Sequence, residues 1–142
     1  MFKLSFKQKI LLSLLKAYNK KAMSPIQIMK SLFLYSQNKK LKEFYEFKPY
    51  LYGPCSFEVY HDLRILLAKG LISAIPSLYS WDFYTVTSHG EKILGKEKDI
   101  ELEGIKKFVV SKSFPELLKE IYSKYPEFSK NSIINNEILK KL

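Results

Sequence analysis

The chain has 142 residues, 46% of them hydrophobic and 15% aromatic, enough for one packed domain and too apolar for global disorder. Its longest apolar run, near Ile10–Leu15, falls far short of the ~20 residues that span a bilayer. The single cysteine, Cys55, excludes an internal disulfide. The formal charge of +10 is concentrated in the first third. Residues 1–42 hold ten lysines and no acid, while the remainder balances 14 cations against 14 acids. Such asymmetry marks a surface for a polyanion, or a solvated lysine face that keeps the protein soluble. Arg64 is the only arginine, so backbone attraction is better provided for than bidentate reading of guanine.

Along the chain, Ser5 predicts the cap of a first helix over residues 6–18, with Ile10, Leu11, Leu14, Leu15 and Tyr18 on one face. Lys16 interrupts the early apolar run and no small-residue cleavage site follows it. An amphipathic helix is therefore expected rather than a signal peptide, and the cytoplasm is the expected compartment. Residues 19–22 break the pattern. Ser24-Pro25 then starts a second helix to about Ser36, burying Ile28, Met29, Leu32 and Phe33. Residues 37–42 form a polar connection. The aromatic run 43–52 suits either a short strand or a hairpin arm ended by Gly53-Pro54, with Pro49 barred from a central strand.

A third helix is expected from a Ser56 cap to Lys69, closed by a left-handed Gly70. Val59, Leu63, Leu66 and Leu67 form its core stripe. A second face carries Phe57, Tyr60, His61, Arg64 and Ala68 at spacings of three and four. That face suits a docking surface or DNA; equally, Phe57 and Tyr60 could pack beneath the 43–52 segment. Strands follow at 71–75 and 81–86 around a turn at 76–80, and Thr87 or Ser88 caps a short helix through Leu94. Residues 95–103 read as a charged connector or an exposed helix start. Ser113-Phe114-Pro115-Glu116 is a capping box before a helix bearing Leu117, Leu118, Ile121 and Tyr122, stopped by Pro126. Asn131 or Ser132 starts a last amphipathic helix with Ile133, Ile134, Ile138 and Leu139.

Catalysis is poorly provided for. Ser56, His61 and Asp62 are triad residue types, but Ser56 is explained as a cap, and adjacent helical residues point apart. His89 has no companion ligand, the five glycines form no phosphate loop, and no metal or cofactor is expected. Cys55 stands near a helix start, where a reactive thiolate is one reading and a small residue after Gly-Pro the plainer one. The order helix, helix, helix, strand, wing, strand is that of a winged helix. Two features depart from an ordinary DNA reader. The connection before the third helix is about twenty residues rather than 3–4, and the wing at 76–80 carries no cation for phosphate. The third helix also looks electrically balanced, with Glu58 and Asp62 set against Arg64 and Lys69.

The string from Phe44 to Ile72, FYEFKPYLYGPCSFEVYHDLRILLAKGLI, followed by YTVTSHGEKIL, resembles uncharacterised prokaryotic winged-helix proteins of the YwgA-like group. The matching positions are Phe47, Tyr50, Tyr52, Gly53, Pro54, Ser56, Val59, Asp62, Leu63, Leu66, Gly70, Leu71 and Ile72, with Cys55 in place of the usual aromatic. The turn before the helix is also similar to the SocA-type antitoxin domain, called Panacea. The ending IYSKYPEFSKNSII favours the former group. The resemblance implies a winged-helix fold and no known enzymatic activity.

The resulting expectation is a mainly α protein with a small β-wing: a winged helix-turn-helix core over residues 1–95, and a C-terminal helical extension over 96–142 that packs on the core or forms a homodimer. The first expected function is non-enzymatic DNA binding or transcription regulation. Lys20, Lys21, Lys30, Lys39, Lys40, Lys42 and Arg64 would meet double-stranded DNA. The second is a protein-interaction module, antitoxin or adaptor-like, using Phe57, Tyr60 and His61 with Arg64. No membrane partner is expected.

Overall fold

The computed structural model describes residues 3–133. They form six α-helices and two antiparallel strand pairs, a mainly helical fold with little sheet. Helix α1 (Phe6–Lys20) starts at a Ser5 capping box closed by Gln8. The regular helix stops before its assigned end, because Tyr18, Asn19 and Lys20 all adopt left-handed backbone. Tyr18 thus leaves the apolar face expected of it. The freed backbone is satisfied by α5 (Ile100–Val110): Tyr18 N–H donates to Glu103 at 2.7 Å, and the Lys106 ammonium donates to the Leu15 carbonyl at 3.0 Å.

Helix α2 (Pro25–Lys39) has its own capping box, Ser24 with Gln27, and runs three residues past the expected end to a left-handed Lys40. The aromatic run resolves into a hairpin. Strand β1 (Lys48–Tyr50) pairs with β2 (Gly53–Cys55), so Gly53-Pro54 begins a strand instead of ending the segment. This hairpin packs on α2 and fills the long connection before helix α3 (Phe57–Ala68). Ser56 sits at the α3 cap without a side-chain capping bond; its N–H meets Met29 Sδ at 3.3 Å instead.

Strands β3 (Ile72–Ile75) and β4 (Phe83–Val86) form the second pair, in the register Ile72↔Val86 to Ile75↔Phe83. On the far edge of β4, Tyr84 exchanges two backbone hydrogen bonds with Met23, at 2.8 and 3.0 Å. Thr87 caps α4 (Ser88–Leu94). The charged stretch after it yields Asp99, whose carboxylate caps α5 and accepts from Tyr35 Oη at 2.7 Å. Helix α5, absent from the sequence expectation as a full element, packs on both α1 and α2. Helix α6 (Phe114–Lys124) begins at the expected Ser113–Glu116 box, and a 3-10 turn follows at Pro126–Ser129. One apolar cluster joins α1, α2, α3, β3, α5 and α6, so the C-terminal helices share the core of the N-terminal ones. The last expected helix, but for its first residues, lies outside the described residues. No helix among them is long and apolar enough to cross a membrane.

Candidate macromolecular interface

Helix α3 is held by its one buried acid. Asp62 accepts from Tyr45 Oη at 2.6 Å and from Gln8 Nε2 at 3.1 Å, tying α3 to the aromatic segment and to α1. Burial, then the bond to Asp62, pushes the Tyr45 phenol far above its ordinary range, so it stays a donor. The expected charge balance of α3 is therefore corrected. Asp62 faces inward, and Glu58 is bound by Lys7 at 2.9 Å. We expect Tyr45→Phe to destabilise the fold by about 2 kcal/mol, since it leaves a buried carboxylate one donor short. Denaturant melts, with no change in the slope, check this.

The clamp turns Phe57, His61, Arg64 and Ala68 outward, with Tyr60 half-buried beside them. The two alternatives for this face thus divide. Tyr60 packs against the core, whereas Phe57 remains 64% exposed, its ring edge-on to Tyr50 at 5.3 Å. Phe57 belongs to a larger surface. Thirteen large apolar side chains are exposed among the described residues, and nine of them (Tyr50, Leu51, Tyr52, Phe57, Ile75, Leu78, Tyr79, Trp81, Ile133) lie on or beside the hairpin turn, the start of α3 and the β3–β4 loop. Ile133 joins the group through its N–H bond to the Leu51 carbonyl. Tyr79 and Trp81 stack in parallel, 4.8 Å apart, and Tyr52 meets Phe114 edge-on at 5.6 Å. Concentration of apolar surface at one end of a small protein marks an interaction site. The β3–β4 loop, expected only as a cation-free turn, supplies three of these residues, Leu78, Tyr79 and Trp81, and Ile75 ends the strand before it.

The lysines sort differently from their expected common role. Lys30 is a correction: it is 2% exposed, and its ammonium donates to the Pro54 carbonyl at 2.9 Å, so it cannot meet a phosphate. The hairpin that buries it also desolvates it, lowering its pKa to about 8. Lys20 pairs with Glu91 and Lys39 with Glu101, each at 3.2 Å. Lys21, Lys40 and Lys42 are exposed and form no ion pair among the described residues. Part of the N-terminal basic excess is thus spent on acids of the later chain.

Ser56, His61 and Asp62 are not assembled for catalysis: Asp62 faces Tyr45 and Gln8, while His61 is exposed. Burial raises the Cys55 thiol despite the nearby Lys30 ammonium, the opposite of an activated thiolate. Among the described residues no three His, Cys, Asp or Glu side chains cluster as metal ligands. Sequence reasoning missed the Tyr45–Asp62–Gln8 clamp, the buried Lys106 and the aromatic loop. Only the last left a signal, in the string LYSW. No protein-family model matches the chain, and no curated protein compared with it matches.

Proposed function

We propose that this chain is a small non-enzymatic regulatory protein of winged-helix type that works by docking a protein partner, as an adaptor or antitoxin does. The winged-helix reading is supported by element order and by the single Met23–Tyr84 β-bridge, which sets the connection between the first two helices against β4. The docking reading is carried by the aromatic end of the molecule, where α3, the hairpin turn and the β3–β4 loop expose apolar side chains together. Tyr, Trp and Phe anchors of this kind supply much of the energy of protein interfaces. A photo-cross-linking amino acid placed at position 57, in the native host, tests it. Adducts to a defined protein are expected there and not from position 107, outside the patch; adducts from neither position overturn the reading.

A second reading, duplex DNA binding, is favoured by the +10 charge and by exposed Lys21, Lys40 and Lys42. Its test is a titration of mixed-sequence duplex across salt concentrations. Retention near 0.15 M salt, lost when these three lysines become glutamate, supports it. No retention at that salt sinks it. Lys30 and Lys39 do not belong in the variant, because one is buried and the other is paired to Glu101.

A further inference from the structure

The aromatic end contains a groove whose chemistry is more specific than its apolarity. Ile26 of α2, Tyr52 of the hairpin turn, Trp81 of the β3–β4 loop, and Phe114 and Leu117 at the start of α6 surround about 310 Å³. That is the lower end of the range for a site taking a ligand or an anchoring side chain. The polar groups at the groove include donors, beside the Ser24 and Tyr52 hydroxyls, which can donate or accept. Gln27 also lines the groove, and its side-chain oxygen already accepts the Ser24 N–H at 3.0 Å. Its NH2 group makes no hydrogen bond among the described residues, and neither does the Trp81 indole N–H. The one charged lining residue is Lys112, whose ammonium rests 5.3 Å from the ring centroid of Phe108, a side chain outside the groove walls. Amide and indole donors on an apolar floor, with a lysine stem in the wall, fit an occupant that is apolar and bears acceptors, carboxylates among them.

We infer that this groove receives an acidic polypeptide segment of a partner protein, seated by one aromatic or branched aliphatic side chain, with its carboxylates meeting Lys112 and the neighbouring N–H donors. The inference rests on the interaction reading above and names the partner's chemistry. Two observations select this occupant. Exposed Tyr79 stacks on Trp81, and exposed Leu51 directly precedes Tyr52, so apolar surface extends past the groove walls, beyond what a small free acid covers. The +10 charge repels a second copy of this chain and attracts an acidic one during encounter.

Trp81 is the only tryptophan, so its emission reports on the groove alone. Random-peptide display on the intact chain, with Trp81→Ala as counter-selection, yields a consensus peptide. That peptide is then titrated against wild type while Trp81 emission is followed at low and high salt. The expected consensus is net acidic around one apolar anchor. It shifts Trp81 emission to saturation, binds more weakly as salt rises, and loses about tenfold in affinity on Lys112→Glu. Both substituted side chains are at the surface, and an unchanged thermal melt confirms that each variant is folded. A basic or uncharged consensus overturns the inference, as does insensitivity to Lys112→Glu. It also falls if Trp81 emission changes with protein concentration alone, which assigns the face to a second copy, or if phenylacetate reproduces the peptide's effect, which assigns the groove to a small acid. A partner cross-linked at position 57 through a basic segment would sink the acidic-segment inference and leave the interaction reading standing.

Discussion

Gly90→Ala should destabilise this protein by about 3 kcal/mol or more, lowering Tm by roughly 10 °C. Gly90 has ordinary helical backbone, so the cost is spatial. A Cβ there would press on the Leu71 carbonyl oxygen and lie 2.8 Å from Val86 Cγ2. The oxygen is backbone and already engaged, accepting the Thr87 N–H at 3.0 Å. Thr87 is fixed in turn, its hydroxyl donating to the Gly70 carbonyl at 2.7 Å and accepting the Gly90 N–H at 3.1 Å. Relief of the clash would therefore break the junction that joins α3, β3, β4 and α4. Gly104→Ala is the control of opposite sign. It lies within α5 with nothing near its missing Cβ, so alanine should stabilise by about 0.5–1 kcal/mol through helix propensity. Calorimetric melts of both variants check the pair. Equal effects would show that the Gly90 contact is relieved without cost.

The helix start at Thr87 was legible in the sequence; the packing role of Gly90, three residues on, was not, because Leu71 and Gly90 approach only in the folded chain. The same limit explains the other differences. Ser5, Ser24 and Ser113 each precede a helix in the pattern that local geometry demands, and all three form capping boxes. Local chemistry is readable from local sequence. Helix α5 was hidden because Gly104 and Lys106 interrupt its apolar stripe, yet Lys106 is fully buried. A lysine in a core position reads as a surface residue until one sees the carbonyl it serves, here that of Leu15 at the premature end of α1. Lys30 and Asp62 follow the same logic. The twenty-residue connection before α3 was visible as a departure from a tight helical turn. Its consequence was not: Pro54 and Tyr45 from that insertion cover and bind Lys30 and Asp62. For the candidate site, the α3 residues were legible from helical spacing. The β3–β4 loop and the Trp81 groove depend on segments brought together from α2, the hairpin and α6.

Stability should rise with pH between about 8 and 10, where most proteins of ordinary composition begin to lose it. Burial lowers the pKa of both Lys30 and Lys106 from 10.5 to about 8. Below pH 8 each is protonated in both states, and the folded chain carries the cost of a desolvated ammonium. Between 8 and 10.5 the folded chain releases these protons while the unfolded chain keeps them. The unfolded state then binds more protons, so unfolding becomes harder as pH rises. A tenfold difference in proton affinity is worth about 1.4 kcal/mol. With two lysines, Tm should climb by roughly 5–10 °C across the window. Above about pH 10 the sign reverses. Tyr35, Tyr45, Tyr60, Tyr84 and Tyr122 all hold their phenol protons more tightly when folded, so the unfolded chain ionises first. A Tm maximum near pH 10 is the expected result, and Lys30→Met with Lys106→Met should flatten the rise leading to it. A Tm that falls steadily from pH 7.5 upward would mean that these ammonium groups reach water. The outcome also governs how charge-reversal experiments are interpreted. A glutamate at position 30 would set a carboxylate against the Pro54 carbonyl in the core, so its loss of DNA binding would report unfolding rather than a missing phosphate contact.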